Sequence, residues 1–158
     1  LNGQETLYAC FGEGNSSEQG RGYVMSRIKN VIPPLWTQLG NTLCGDPIKI
    51  IFDSQNNIFC ILNKGNNYNL YYLYNGNWNL CSMVHNGASV NSDITNALIT
   101  KIGNDDYIYF IKVENSKGIY RLKKGSGFGN WNDSITSGNT RILTSRVGNQ
   151  LELMNYNF

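Results

Sequence analysis

The stretch Lys49–Leu80, KIIFDSQNNIFCILNKGNNYNLYYLYNGNWNL, decides the fold class. Three apolar runs, Ile48–Phe52, Ile58–Leu62 and Leu70–Tyr74, are rich in β-branched and aromatic residues, and clusters of Asp, Asn, Gly and Ser separate them. Side chains of this kind fill a pleated, half-buried surface, while Asn and Gly supply the reversals between strands. A short fourth run, Trp78–Val84, follows. Spacing of about ten residues from run to run suits ordinary strands joined by hairpin loops, so the stretch predicts a sheet meander. Asn75-Gly76 predicts a type I′ turn inside it.

Outward from this unit the same order recurs. Toward the N-terminus, Glu5–Phe11 and Tyr23–Ile28 read as strands around the loop Gly12–Gly22. Pro33–Pro34 then precede a short strand carrying Trp36. On the other side, Ala97–Ile102, Tyr107–Val113 and Ile119–Leu122 read as strands, followed by the loop Gly125–Asn130 and Trp131. Thr140–Val147 and Leu151–Phe158 form a last strand pair. No stretch keeps a helical period, although Asn91–Ala97 leaves room for one turn. A strand pair, a tight turn and a Trp thus occur three times, at Trp36, Trp78 and Trp131, separated by 42 and 53 residues. The expectation is a single all-β domain over 1–158, built from about three repeats (5–45, 46–88 and 96–139) with a closing strand pair at 140–158. Four short strands per unit of this length suit a propeller blade, and about twelve strands in three units also suit a β-trefoil.

Residues 46–84 resemble the repeats of tectonin and tachylectin-type β-propeller lectins. The likeness lies in the strand Lys49-Ile50-Ile51-Phe52-Asp53, a turn, the strand Ile58-Phe59-Cys60-Ile61, a further short strand and the step Asn77-Trp78. The step returns at Asn130-Trp131 and is replaced by Leu35-Trp36 in the first unit. The resemblance implies a propeller-like fold and a non-catalytic, carbohydrate-binding role.

Composition narrows the function classes. Charged residues make up 15% of the 158 and the net charge is +2, with basic residues scattered apart from Arg121, Lys123 and Lys124. Nucleic-acid binding needs a concentrated basic patch that releases counterions, so no nucleic-acid partner is expected. Amides and phenols replace charge, with 24 Asn and 10 Tyr beside 17 Gly. Asn and Tyr hydrogen-bond uncharged hydroxylated ligands, and Asn and Gly equally serve tight turns. No apolar run approaches 18 residues, so membrane insertion is not expected, and the chain reads as a soluble mature form or a cut-out domain. Cys10, Cys44, Cys60 and Cys81 lack metal-ligand spacing and fit either two disulfides or four buried thiols. The sequons at Asn15 and Asn132, in loop-like stretches, favour an extracellular or surface-displayed setting.

Catalytic groupings are thin. The single histidine, His85, has no nucleophile motif beside it, and the 11 carboxylates form no evident acid pair, so no catalytic residue and no cofactor are assigned. Asn104-Asp105-Asp106, and Asp53 with Asn56 and Asn57, offer oxygen ligands but no calcium-loop spacing, so they read as turn residues and no metal is assigned. Sugar binding asks for a flat ring against the C–H face of the sugar and short polar groups for its hydroxyls. Asn75, Asn77, Trp78 and Asn79 give this combination, and Asn130, Trp131, Asn132 and Asp133 repeat it. The competing reading places each Trp in the core between sheets. The expected function is a lectin-like or receptor-attachment module whose partners are glycans or glycoproteins. The alternative is a self-assembly or protein-interaction module such as a viral or phage attachment or fibre protein, forming homo-oligomers through open sheet edges.

Overall fold

The computed structural model describes residues 5–13, 20–65, 67–113 and 118–132, and the backbone of 141–143. Apolar alternation turns into strands throughout, and among the described residues there is no helix. In the first sheet, β1 (Thr6–Gly12) pairs antiparallel with β2 (Arg21–Ile28), whose other edge takes β3 (Thr37–Gln38) and β4 (Leu43–Cys44). The second sheet is the expected meander of β5 (Asp46–Phe52), β6 (Ile58–Lys64), β7 (Asn67–Tyr74) and β8 (Asn77–Leu80). Its last turn has φ of 49° at Asn75 and 74° at Gly76, the type I′ geometry that twists with the strands it joins.

The third sheet is larger than its sequence unit. β9 (Ser82–His85) and β10 (Ala88–Ser89) form its outer edge, β11 (Ile94–Ile102), β12 (Asp105–Lys112), β13 (Gly118–Lys124) and β14 (Asn130–Asn132) form a meander, and β15 (Arg141–Leu143) pairs with β13. The run Trp78–Val84, expected as one strand of the second unit, is divided at Cys81. There the backbone changes partners: Cys81 N–H donates to Leu70 O in the second sheet, and Ser82 N–H donates to Gly129 O in the third. β9 then runs parallel to β14, with Trp131 opposite Met83. The helical turn allowed near Asn91–Ala97 is also absent, because β11 begins at Ile94 opposite Lys112 and pairs onward after a bulge. Part of the stretch expected as a closing pair, Arg141–Leu143, joins the third sheet, and the rest of 140–158 lies outside the described residues.

Packing follows the period of two. Phe59 and Ile61 of β6 enter a layer with Ile94, Ala97, Ile99, Ile108, Phe110, Tyr120, Leu122 and Trp131 of the third sheet. Cys60 and Leu62 point the other way, into a layer with Val24 and Leu43 of the first sheet. β6 is therefore buried on both faces, which explains why its run carries no polar alternation. The sheets stack first, second, third. Among the described residues they do not join into a closed barrel or ring.

The connection into the third sheet is fixed by a buried amide. Asn91 accepts a hydrogen bond from Leu70 N–H (2.7 Å) and donates to Leu70 O (2.9 Å) and Cys81 O (2.8 Å). Its side chain thus satisfies the backbone groups that a neighbouring strand would otherwise meet.

Candidate functional site: a cleft between the second and third sheets

Three connections meet at one end of this junction: Asp53–Asn57 between β5 and β6, Gly103–Asn104 between β11 and β12, and Gly125–Gly129 between β13 and β14. They enclose a cleft of about 460 Å³. The first connection contributes Ser54 and Gln55, the second Asn104 with Asp105, Asp106 and Lys101 from its flanks, and the third Phe128 with Lys124.

Asp53 organises the first wall. Its Oδ1 accepts from the backbone N–H groups of Gln55 (2.9 Å) and Asn57 (2.8 Å), and its Oδ2 from Asn57 Nδ2 (2.8 Å) and Lys124 Nζ (2.6 Å). A short Asp side chain at the first position of a five-residue loop closes it in this way, as an Asx turn does. Burial alone would raise the Asp53 carboxyl, but the Lys124 ammonium and the Asn57 and Gln55 donors outweigh it and hold the group below the ordinary carboxylate value. The Lys124 ammonium also lies 3.7 Å from Asp106 Oδ2, so one cation serves two buried carboxylates from different sheets. A metal ion bridging Asp53 and Asp106 would have to displace that ammonium. Among the described residues no group of three or more His, Cys, Asp or Glu is arranged to hold a metal.

Asp106 is only 7% exposed, and its Oδ1 is buried without a hydrogen-bond donor among the described residues. Such an oxygen is costly unless something supplies a donor. Beside it Asp105 pairs with Lys123 at 2.6 Å, which raises the Lys123 ammonium above its ordinary value. At the rim, Phe128 is 45% exposed and Tyr74 43%, with ring centroids 4.6 Å apart and planes tilted by 32°. Two large rings are thus held together at the surface beside carboxylate, amide and ammonium groups. Gly129 makes this possible: a Cβ there would stand 2.3 Å from the Tyr72 ring, and φ is 70°. Only glycine lets the loop lie so close to the second sheet.

Both tryptophans named from sequence are core residues. Trp78 is 7% exposed, its indole N–H donating to Leu39 O (2.9 Å) and its backbone N–H to Asn41 Oδ1 (2.7 Å), which ties the first sheet to the second. Trp131 is 1% exposed and meets Phe59 edge-on at 5.7 Å. Neither ring offers a face to a ligand; each closes a layer between sheets, where its area counts most toward stability. The surrounding amides are spent on the backbone: Asn77 donates to Asn75 O (3.1 Å), and Asn79 to Asn77 O (3.0 Å). Asn130 donates to Ser126 O (2.7 Å) and accepts from Gly125 N–H at its carbonyl (2.8 Å), holding the loop that presents Phe128. Asn132 pairs in register with Lys123 and Val84, and Asp133 lies outside the described residues. The two sequence clusters nevertheless converge, because Asn77 is the cross-strand partner of Tyr74 and Asn130 shapes the loop bearing Phe128.

The residues that sequence reasoning passed over are Ser54, Gln55, Lys101, Lys124, Tyr74 as a platform and Phe128. One signal was present in GSGFGN, residues 125–130, where a lone aromatic stands between glycines. All four cysteines are free thiols, so neither disulfide is formed. Burial raises the Cys60 thiol strongly, and it raises the Cys81 thiol as well, partly offset by the Trp131 indole, whose N–H meets no oxygen acceptor among the described residues. His85 meets Tyr120 edge-on at 5.3 Å, away from the cleft. No family model, curated protein or solved structure matches the chain.

Proposed function

We propose that the chain is a non-catalytic carbohydrate-binding or attachment module whose ligand occupies the cleft between the second and third sheets. The observation that carries this reading is the exposed Tyr74–Phe128 ring pair at the rim of a polar cleft. A sugar supplies an apolar C–H face for the rings. Gln55, Ser54 and Asn104 add short donors and acceptors for its hydroxyls. The three stacked sheets serve as consecutive blades of a propeller-like arrangement, with sites at blade junctions rather than on the blade tryptophans. Display outside the cell, where glycans are presented, suits this role.

A glycan array probed with the wild-type chain and with Phe128→Ala tests the reading. Phe128 is a loop-tip residue, so its removal leaves the sheets intact. Loss of stacking worth about 1.4 kcal/mol weakens binding roughly tenfold. The reading fails when no glycan class is retained, or when Phe128→Ala and Asp106→Asn, both folded by circular dichroism, bind as the wild type does.

A further inference from the structure

Among the described residues, the connection between β2 and β3 carries the most exposed aliphatic side chains. Residues 28–38 are exposed without a break, and the eight that join the two strands, 29–36, read KNVIPPLW. Ile32, in the middle of the loop, is 91% exposed and Leu35 74%, with Val31 beside them and Ile28 at the base also exposed. Among the described residues no other connection bears more than one exposed large hydrophobic. Single exposed hydrophobics are ordinary on a protein surface, whereas a gathered set marks an interaction site. Where the loop joins the sheet its chemistry changes. The Arg27 guanidinium lies 5.2 Å from the ring of the exposed Trp36, and Phe11 meets that ring edge-on at 6.3 Å. Lys29 pairs with Glu5 across the end of the sheet and keeps about half of its side chain in solvent. The stretch 27–36 contains two cations and no carboxylate.

We propose that this loop docks the chain on a phospholipid surface bearing anionic headgroups, with Ile32 and Leu35 entering the acyl boundary and Lys29 and Arg27 lying among the phosphates. The order of the side chains names the occupant. An aliphatic tip, then a Trp, then basic groups matches the depth profile of a membrane interface, where Trp sits at headgroup level and cations meet the phosphates. A protein pocket asks for a different set, because binding energy there concentrates on Trp, Tyr and Arg, with Leu and Val under-represented. Two cations with no carboxylate between 27 and 36 complement a negative leaflet, and Glu5 engages only part of the Lys29 ammonium. An out-and-back loop of eight residues reaches roughly 14 Å. That is under half of the ~30 Å hydrocarbon core, so the contact is with one leaflet and nothing spans. None of the residues lining the cleft belongs to this loop, so the contact does not depend on the cleft's ligand.

Flotation of the full chain with vesicles of phosphatidylcholine and phosphatidylserine, and with vesicles of phosphatidylcholine alone, reads the outcome. The wild type is expected to float with the mixed vesicles and more weakly with phosphatidylcholine. Its tryptophan emission should shift to the blue on binding, and since Trp78 and Trp131 are already buried, the shift reports Trp36. Ile32→Ser and Leu35→Ser should each weaken partition roughly tenfold, the loss of one aliphatic side chain's burial. Lys29→Gln should weaken it on the mixed vesicles only. All three positions are exposed, so the circular dichroism of each variant should match the wild type. A wild type that floats with neither kind of vesicle overturns the proposal. So does equal partition into both kinds, or binding that the Ile32→Ser, Leu35→Ser double variant retains. Self-association that the double variant abolishes, without flotation of the wild type, makes a second copy the occupant and overturns it too.

Discussion

Replacing Asn91 by alanine is expected to cost far more than its single side chain suggests. The amide of Asn91 is bonded to three buried backbone groups, Leu70 N–H, Leu70 O and Cys81 O, at 2.7, 2.9 and 2.8 Å. Alanine leaves Leu70 N–H and Cys81 O without these partners, while Leu70 O keeps the Cys81 N–H at 3.0 Å, and each buried unsatisfied group costs about 1–3 kcal/mol. Relaxation and water entry recover part of that, so the expected loss is about 2–4 kcal/mol, a large fraction of the ~5–15 kcal/mol of a typical domain. Urea unfolding followed by tryptophan fluorescence measures it, with the midpoint shifting and the slope unchanged. Asn79→Ala is the control, since its amide donates to one exposed carbonyl and should cost under about 0.5 kcal/mol. Asn91→Asp separates hydrogen bonding from shape. The carboxylate still accepts from Leu70 N–H but turns an oxygen toward two carbonyls, so it should be at least as damaging at neutral pH and milder once protonated. A loss below about 1 kcal/mol for Asn91→Ala, or an Asp variant as stable as the wild type, would refute the idea that this amide substitutes for a strand.

Three further outcomes follow from the packing and the charges. Trp131→Ala should cost about 3–5 kcal/mol in the same unfolding assay, while Trp36→Ala, at an exposed position, should cost under about 1 kcal/mol; equal losses would contradict the layer assignment. Asp53 is held below its ordinary value in the fold, so its contribution is complete above the unfolded value of about 3.9 and disappears as pH falls through the lower folded value. The destabilisation caused by Asp53→Asn should therefore be greatest near neutral pH and shrink in acid; a gap independent of pH would show that the carboxylate's charge does not matter. Lys112 donates to Ser92 O (2.9 Å) and Oγ (2.8 Å), and burial lowers its ammonium despite Asp93 at 3.8 Å. The folded state releases this proton first, so Lys112 makes stability rise with pH over the window from its lowered folded value up to about 10.4, the unfolded value. Lys112→Met should remove that rise, and an identical slope in both proteins would count against it.

The fold class was legible because alternation and turn chemistry are local. Asn75-Gly76 carried its turn type in two letters, and β5 to β8 lie where their apolar runs stand. The break at Cys81 was not legible, since it depends on Gly129 O, a partner 47 positions away across the sheet junction. Trp78 and Trp131 illustrate the limit for sites. A Trp beside Asn reads the same in a ligand site and in a core, and only the stacking of sheets decides that both rings are covered. The cleft escaped for a similar reason: Asp53, Asp106 and Lys124 are noticed singly as turn and strand-end residues, and meet only when the second and third sheets pack. Phe128 was passed over as well, although an aromatic in a glycine loop with no core to enter carried a local signal.

We propose the cleft beside Tyr74 and Phe128 as the ligand site. Amide chemical-shift mapping during titration with the glycan retained on the array locates that site. The largest shifts are expected at Ser54, Gln55, Asn104, Asp105 and Phe128, with the first sheet unmoved. Shifts centred on the β7–β8 hairpin away from Tyr74, or on the first sheet, or no shift at saturating glycan, would contradict the claim.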